Sequence, residues 1–232
     1  FYGYYYESPL DSTGTRLLAH KVVFDGRDVE EKDKAEIGFY NINNSKWHKL
    51  GETRAFNWQT GSRLQWLGPD FGEKVIFNDL GKKHYRSIII DAGTEEKKEI
   101  DAPIYTVSSD GKKALSVNFE KFLFCNTPYS YKGIINDKWK NNSCSDDGIY
   151  SVDLESGKSS ILLSTNNILE IDQDQEMRGG VHYLDHVTWN PSSNRFIFLH
   201  RYYDNKGKLY HRLFSSDPNG RDLYHFPSCS EY

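Results

Sequence analysis

The sequence predicts an all-β chain: a β-propeller of four-stranded antiparallel blades, about four of them, forming part of a six- to eight-bladed ring. Three observations lead there. One layout, a turn into an apolar strand, a second strand, a polar turn and a third strand, recurs four times along the 232 residues, and repetition at roughly 40–50 residues marks propeller blades. Aromatic residues make up 15% of the chain, with 16 Tyr and 13 Phe, and such side chains favour strands. A single Met and no long Ala/Leu/Glu run speak against a helical bundle.

The turns that open the units are Asp11–Gly14, Pro69–Glu73, Ser109–Gly111 and Pro191–Asn194. They lead into Arg16–Phe24, Lys74–Asn78, Lys113–Phe119 and Arg195–His200. Second strands are expected at Glu36–Asn41, Ser87–Asp91, Gly148–Asp153 and Arg212–Ser216, and third strands at Trp47–Leu50, Lys97–Ile100, Ser159–Leu163 and Asp222–Phe226. Ile149–Leu154 alternates apolar and polar as a half-buried strand does, and Gly or Asn at the turns supplies the positive φ of tight hairpins. Extended stretches at Arg63–Leu67, Ala102–Val107 and Val181–Trp189 precede most of these turns and complete the blades as inner strands.

Three segments interrupt the repeat. Residues 25–33 (DGRDVEEKD) read as a charged, solvated hairpin insertion; residues 124–147 lack a period and read as a long loop insertion; residues 166–179 contain Ile168–Met177, acidic and suited to a short helix or a loop. Loops of this length on a rigid scaffold often carry function.

Composition narrows the function classes. The formal net charge of -4 offers no basic field for nucleic acid, and no apolar run approaches the roughly 18 residues of a membrane span. Cys125, Cys144 and Cys229 form no CxxC pair and no even framework. Free thiols favour a cytoplasmic chain over a secreted one, while the sequons Asn43-Asn44-Ser45 and Asn141-Asn142-Ser143 are short enough to arise by chance. Dinucleotide, P-loop, HExxH, Gly-x-Ser-x-Gly and EF-hand signatures are missing.

Chemistry concentrates in Gly179–Tyr203, which carries His182, His186 and His200. Three histidines suit a divalent ion such as Mn²⁺ or Zn²⁺. Strand residues four apart lie about 13 Å apart, so His182 and His186 share an ion only if the chain bends between them. Antiparallel pairing brings His200 back towards this region and makes His186 with His200 the sharper pair. The competing assignment has each imidazole bonding within its own blade. Arg201 is suited to hold a sugar carboxylate while His186 or His200 removes the neighbouring proton in a β-elimination; an ion pair with an Asp such as Asp204 competes. Asn57, Trp58, Gln59, Gln65 and Tyr105 are the expected substrate contacts, amides for hydroxyls and rings for sugar faces. Trp66 and Leu64 are assigned to the core between blades. Asn78, Asp79, Arg86 and Asn118 are expected near the same funnel, and Tyr4–Tyr6 and Tyr202–Tyr203 as edge aromatics or sugar platforms.

Gly3-Tyr4-Tyr5, Asn57-Trp58-Gln59 with Leu64-Gln65-Trp66, Asp147–Glu155 and Asn190-Pro191 with Arg195–Arg201 resemble a family of uncharacterised bacterial β-propeller proteins, some found near polysaccharide genes. More distantly the layout is similar to oligogalacturonate lyase and the Tol-system propellers. That resemblance implies a seven-bladed ring, Mn²⁺ held by histidines and a glutamine, and β-elimination on pectic fragments, with His186 and His200 at the positions of blade histidines. The clustered Gln/His ligand run has no counterpart here, and Phe1 and Tyr6 stand where the family carries a His and an Asp. Two functions follow as expectations: a carbohydrate-binding propeller with lyase-like chemistry on an oligosaccharide or polysaccharide, or a non-catalytic binding or scaffold propeller.

Overall fold

The computed structural model describes residues 1–3, 7–140 and 146–227. Tyr4–Tyr6, the Asn141-Asn142-Ser143 sequon, Cys144 and Cys229 lie outside the described residues.

Four antiparallel sheets follow one another along the chain. Blade 1 consists of β1 (Arg16–Lys21), β2 (Ala35–Asn41) and β3 (Lys46–Thr53). Blade 2 has β4 (Gln65–Trp66), β5 (Lys74–Leu80), β6 (Tyr85–Asp91) and β7 (Lys97–Ile100); blade 3 has β8 (Thr106–Val107), β9 (Lys113–Ser116), β10 (Gly148–Asp153) and β11 (Ser159–Ser164). Blade 4 has β12 (Val181–Trp189), β13 (Phe196–Tyr203), β14 (Leu209–Ser216) and β15 (Tyr224–Phe226). In each sheet the strands neighbour one another in chain order, the up-and-down order of a propeller blade.

Blade 1 departs from the expected pattern, because its sheet has three strands. The place of the fourth is taken by two fragments: Phe1 exchanges backbone hydrogen bonds with His20, at 2.9 Å and 2.6 Å, and Leu10 bridges Leu17. Between these two contacts, Glu7 reaches Thr106 and Arg63 at the inner strands of blades 2 and 3.

Side-chain alternation explains the packing. The faces of blades 1 and 2 meet through Leu18, Ile37 and Phe39 against Val75, Phe77 and Ile90. Ile76 and Ile89, on the other face of blade 2, meet Ala114 and Val152 of blade 3. The run Ile88-Ile89-Ile90 is buried throughout because blade 2 is covered on both faces. Blades 3 and 4 meet through Leu115, Ile149 and Leu163 against Phe196, Phe198 and Phe214; burying one such phenylalanine is worth about 2–3 kcal/mol. Trp66 is buried as expected, with its indole N–H donating to Pro9 O at 3.1 Å. The turns of blades 2 and 3 also touch: a Cβ on Gly111, whose φ is +69°, would stand 1.9 Å from Gly68 O.

The insertions are ordered by their apolar residues. In 25–33, Val29 is buried against Ala35 and Phe56, and Arg27 grips Asp33 through both guanidinium nitrogens, at 2.6 Å and 2.8 Å, so the loop is anchored as well as solvated. The segment after β9 forms the short helix α1 (Phe122–Cys125) and 3-10 turns at Thr127–Tyr129 and Asp137–Lys140, and buries Phe122, Tyr131 and Trp139. Between β11 and β12 lie α2 (Thr165–Leu169), capped by Ser164, and a 3-10 turn at Gln175–Met177.

Candidate functional site

The histidines of blade 4 divide between the two faces of its inner strand pair. His182 lies opposite Tyr202 and His200 opposite Leu184, so the two imidazoles are diagonal neighbours on one face. His182 Nδ1 lies 3.0 Å from His200 Nε2, and His182 Nε2 lies 2.9 Å from Met177 O. Across the next pairing, Arg212 Nη1 lies 3.3 Å from His200 Nδ1. A carbonyl can only accept and a guanidinium can only donate. The protons are therefore fixed: Arg212 donates to His200, His200 donates from Nε2 to His182, and His182 donates from Nε2 to Met177. Arg212 also donates to Ile168 O at 3.4 Å and to Ile171 O, which fastens the α2 segment to the blade.

This relay requires both imidazoles to be neutral, and its surroundings keep them so. Burial lowers the pKa of His182, and the charges of Lys121 and Arg212 lower it further. Burial likewise holds His200 well below its usual value, reinforced by His182, Arg212, Lys121 and His225. Desolvation lowers the Arg212 pKa as well.

His186 does not join them. The register slips between Asp185 and Thr188, and His186 sits in this bulge at φ +53°. A bulge breaks the period of two, so His186 leaves the face that its spacing from His182 would give it. Its Nδ1 lies 2.8 Å from Asp185 Oδ1, while Asp185 Oδ2 lies 3.3 Å from Arg201 Nη1 and accepts from Asn126 Nδ2 at 3.2 Å. Desolvation opposes the charge of Arg201, but Asp185 and Tyr183 outweigh it and raise its pKa. The partner of Arg201 is thus Asp185; Asp204 instead caps its own turn through Lys206 N and Lys208 N, both at 2.8 Å.

Among the described residues, no three His, Cys, Asp or Glu side chains converge as metal ligands. The pair that does meet fits a divalent ion poorly: both Nδ1 lone pairs accept hydrogen bonds, and a guanidinium stands beside them.

A second polar set lies along the inner strands. Leu10, Trp66, Val107 and Trp189 pair equivalently at the start of each blade ladder. Three residues before them stand Glu7, Arg63, Ile104 and His186. Arg63 and His186 share a left-handed backbone, at φ +57° and +53°, an uncommon state for such residues. Tyr105 links the two: its carbonyl accepts from Arg63 Nε at 2.7 Å, its ring lies 4.0 Å from the Arg63 guanidinium, and its hydroxyl accepts from His186 N at 3.2 Å. Glu7 accepts from Thr106 Oγ1 at 3.2 Å and lies 3.8 Å from Arg63 Nη2; burial raises its carboxyl pKa even though Arg63 opposes the shift.

Most of the expected sugar contacts are engaged inside the protein. Buried Asn57 receives Gln59 N and Thr60 N and donates to Tyr129 O. Buried Gln65 joins β4 to β8, accepting from Val107 N at 3.2 Å and donating to Arg63 O at 3.1 Å. Tyr105 is buried, Trp58 is half-exposed with its N–H on Arg27 O, and Gln59 is exposed. Asn78 is buried between blades 2 and 3 on Ile104, and Asp79 pairs with Arg86. Tyr202 is buried against Tyr210.

Polar groups facing open space occur elsewhere. A partly open cavity of about 200 Å³ lies between blades 2 and 3, walled by Val117, Phe119 and Trp139 and bordered by Glu120, Asp101 and His84. Glu120 Oε2 accepts from Asn136 Nδ2 at 2.9 Å and from Trp139 Nε1 at 3.1 Å. His84 Nε2 lies 2.6 Å from Asp101 Oδ1. Of these, sequence reasoning singled out only neighbouring Asn118 and the insertion at 124–147; the cavity joins residues far apart in sequence, and no local spacing announces it.

No family model and no curated protein matches the chain. Solved structures do. A protein described as a putative TolB from Agrobacterium tumefaciens aligns with a TM-score of 0.54 at 11% identity, over 93% of this chain and 62% of that one. TolB from Acinetobacter baumannii aligns with a TM-score of 0.47 at 11% identity, over 99% of this chain and 54% of its own. An endo-arabinase from Bacteroides thetaiotaomicron gives 0.42 at 12% identity, over 97% and 81%. The chain thus spans less than two thirds of the length of either TolB-type structure. At these identities the likeness concerns the fold, and that fold is a β-propeller. Among the described residues no helix is long and apolar enough to cross a membrane.

Proposed function

We propose that the chain acts as a non-catalytic binding propeller, whose recognition surface is the rim between blades 2 and 3 where the insertion after β9 meets the cavity. The observation that carries this reading is that two of the three lyase candidates, His200 and Arg201, are engaged inside the protein, His200 with His182 and Arg212 and Arg201 with Asp185. A lyase needs a free imidazole or tyrosinate to take a proton and a free cation to neutralise the sugar carboxylate. His182 and His200 are 3% and 0% exposed and bonded on both nitrogens, and Arg201 is already neutralised by Asp185. Of the three amides expected to bind sugar hydroxyls, Asn57 and Gln65 are likewise buried and bonded, and Gln59 is exposed. Long insertions on a rigid scaffold are where binding residues gather, and here the insertion supplies Trp139 and adjoins Glu120 at this cavity.

Two experiments bear on this. Incubated with polyuronides, with and without added Mn²⁺, the protein should release no unsaturated product by ultraviolet absorbance; its appearance would refute the non-catalytic reading. A screen of small amines, carboxylates, alcohols and neutral oligosaccharides, read by the indole N–H resonance of Trp139, should give at least one saturable shift.

A further inference from the structure

The cavity between blades 2 and 3 carries the carboxylates of Glu120 and Asp101 at its rim, the latter paired with His84. Among the described residues no Lys or Arg lines it. Glu120 spends one oxygen, Oε2, on both Asn136 and Trp139, and its Oε1 has no hydrogen-bond partner among the described residues. The neighbouring phenols feel this field: burial first, then Glu120, raises the pKa of Tyr85, and burial with Asp147, Asp146 and Glu120 raises that of Tyr150.

The walls are apolar and aromatic, through Val117, Phe119, Trp139 and Pro103. An anion would meet two carboxylates at the rim. A neutral sugar would leave most of its hydroxyls against hydrocarbon, at a desolvation cost. A short alkyl chain ending in a cation satisfies both halves: its methylenes cover the apolar wall, and its charge meets Glu120 Oε1 in a charge-assisted hydrogen bond. The chain already holds one ammonium at this end of the blade, since Lys138 Nζ lies 4.7 Å from the Trp139 ring centroid and pairs with Asp146. Indole faces attract such cations.

We infer that this cavity is a binding site for an organic cation of the primary alkylammonium class, whether a free amine or a lysine side chain of a partner, with Glu120 as its counter-charge and Val117, Phe119 and Trp139 as its apolar wall. The inference rests on the proposed binding role of the same rim and gives it a ligand class.

The test titrates the ¹⁵N-labelled protein with n-butylammonium chloride and, separately, with n-butanol, following the Trp139 indole and the Ser116 and Ser159 amides. The expected result is a saturable shift of these signals with n-butylammonium, and an affinity about tenfold or more weaker for n-butanol. Glu120→Gln keeps an oxygen for Asn136 and Trp139 but loses the charge, so it should weaken n-butylammonium by a similar factor and leave n-butanol unchanged. Equal affinity for the two probes, or an unaffected Glu120→Gln variant, overturns the ligand class while leaving a binding cavity. Silence of all three signals with both probes overturns the cation inference, and silence across the wider screen removes the binding role of the rim as well. N-acetyl-lysine methylamide, compared with n-butylammonium, separates a partner's lysine from a free amine.

Discussion

His182 Nδ1 and His200 Nε2 lie 3.0 Å apart, and the proton between them belongs to His200. Met177 O fixes the donor end of His182, and Arg212 fixes the acceptor end of His200. Two neutral imidazoles with defined tautomers thus tie the 3-10 turn at Met177 to the middle strands of blade 4.

His200→Ala should therefore destabilise the protein by about 2–4 kcal/mol, because it leaves His182 Nδ1 and a donor of Arg212 buried without partners. Urea denaturation measures this. A cost under about 0.5 kcal/mol would mean that the relay is unimportant to the fold.

Acid should weaken the fold earlier than carboxylate titration alone would. Burial pushes His20 down from 6.5 to about 3, and His182 and His200 are lowered by burial and by the cations around them. The unfolded chain binds protons that the folded chain refuses, so their contribution is complete above pH 6.5 and is lost as pH falls below it. Each such histidine costs about 1.4 kcal/mol per pH unit until its folded value is reached. The urea midpoint should drop steadily from pH 7 to pH 5; a flat profile would contradict the assignment.

Asp185 carries the other face. It is fully buried and receives Arg201 and Asn126. Asp185→Ala leaves a half-buried guanidinium without its counter-charge, and should cost about 3 kcal/mol in urea denaturation.

Gly111 packs its turn against Gly68. Gly111→Ala adds a methyl group at positive φ and forces the turns of blades 2 and 3 apart, so it should lower stability by about 2 kcal/mol or more. An unchanged thermal midpoint would show that the turns yield freely.

Much of the architecture could be read from pattern. Gly148–Asp153 and Lys97–Ile100 occur at the residues where alternation and turn chemistry put them, since a strand half covered by a neighbouring blade must alternate. The inner strands were less legible: β4 and β8 have two residues each, and in blade 1 separate contacts at Phe1 and Leu10 stand beside a three-stranded sheet. The site was least legible. Spacing joined His186 to His200, but one bulge at Asp185–Thr188 exchanged His186 for His182. Asn57 and Gln65 have the chemistry of sugar ligands and spend it on backbone, which depends on burial that sequence alone does not display. The cavity draws on His84, Asp101, Glu120 and Trp139, brought together by the stacking of blades and not by any local period.

The most direct test of the claim that the blade 4 histidines are structural is a long-range ¹H–¹⁵N correlation spectrum of the histidine side chains, recorded from pH 7 to pH 5 with and without Mn²⁺ or Zn²⁺. His182 and His200 should both appear as neutral Nε2–H tautomers at pH 7, protonate only below the usual histidine value and ignore the ions; titration of either ring at or above pH 6.5, an Nδ1–H tautomer, or loss of both signals on adding metal would contradict it.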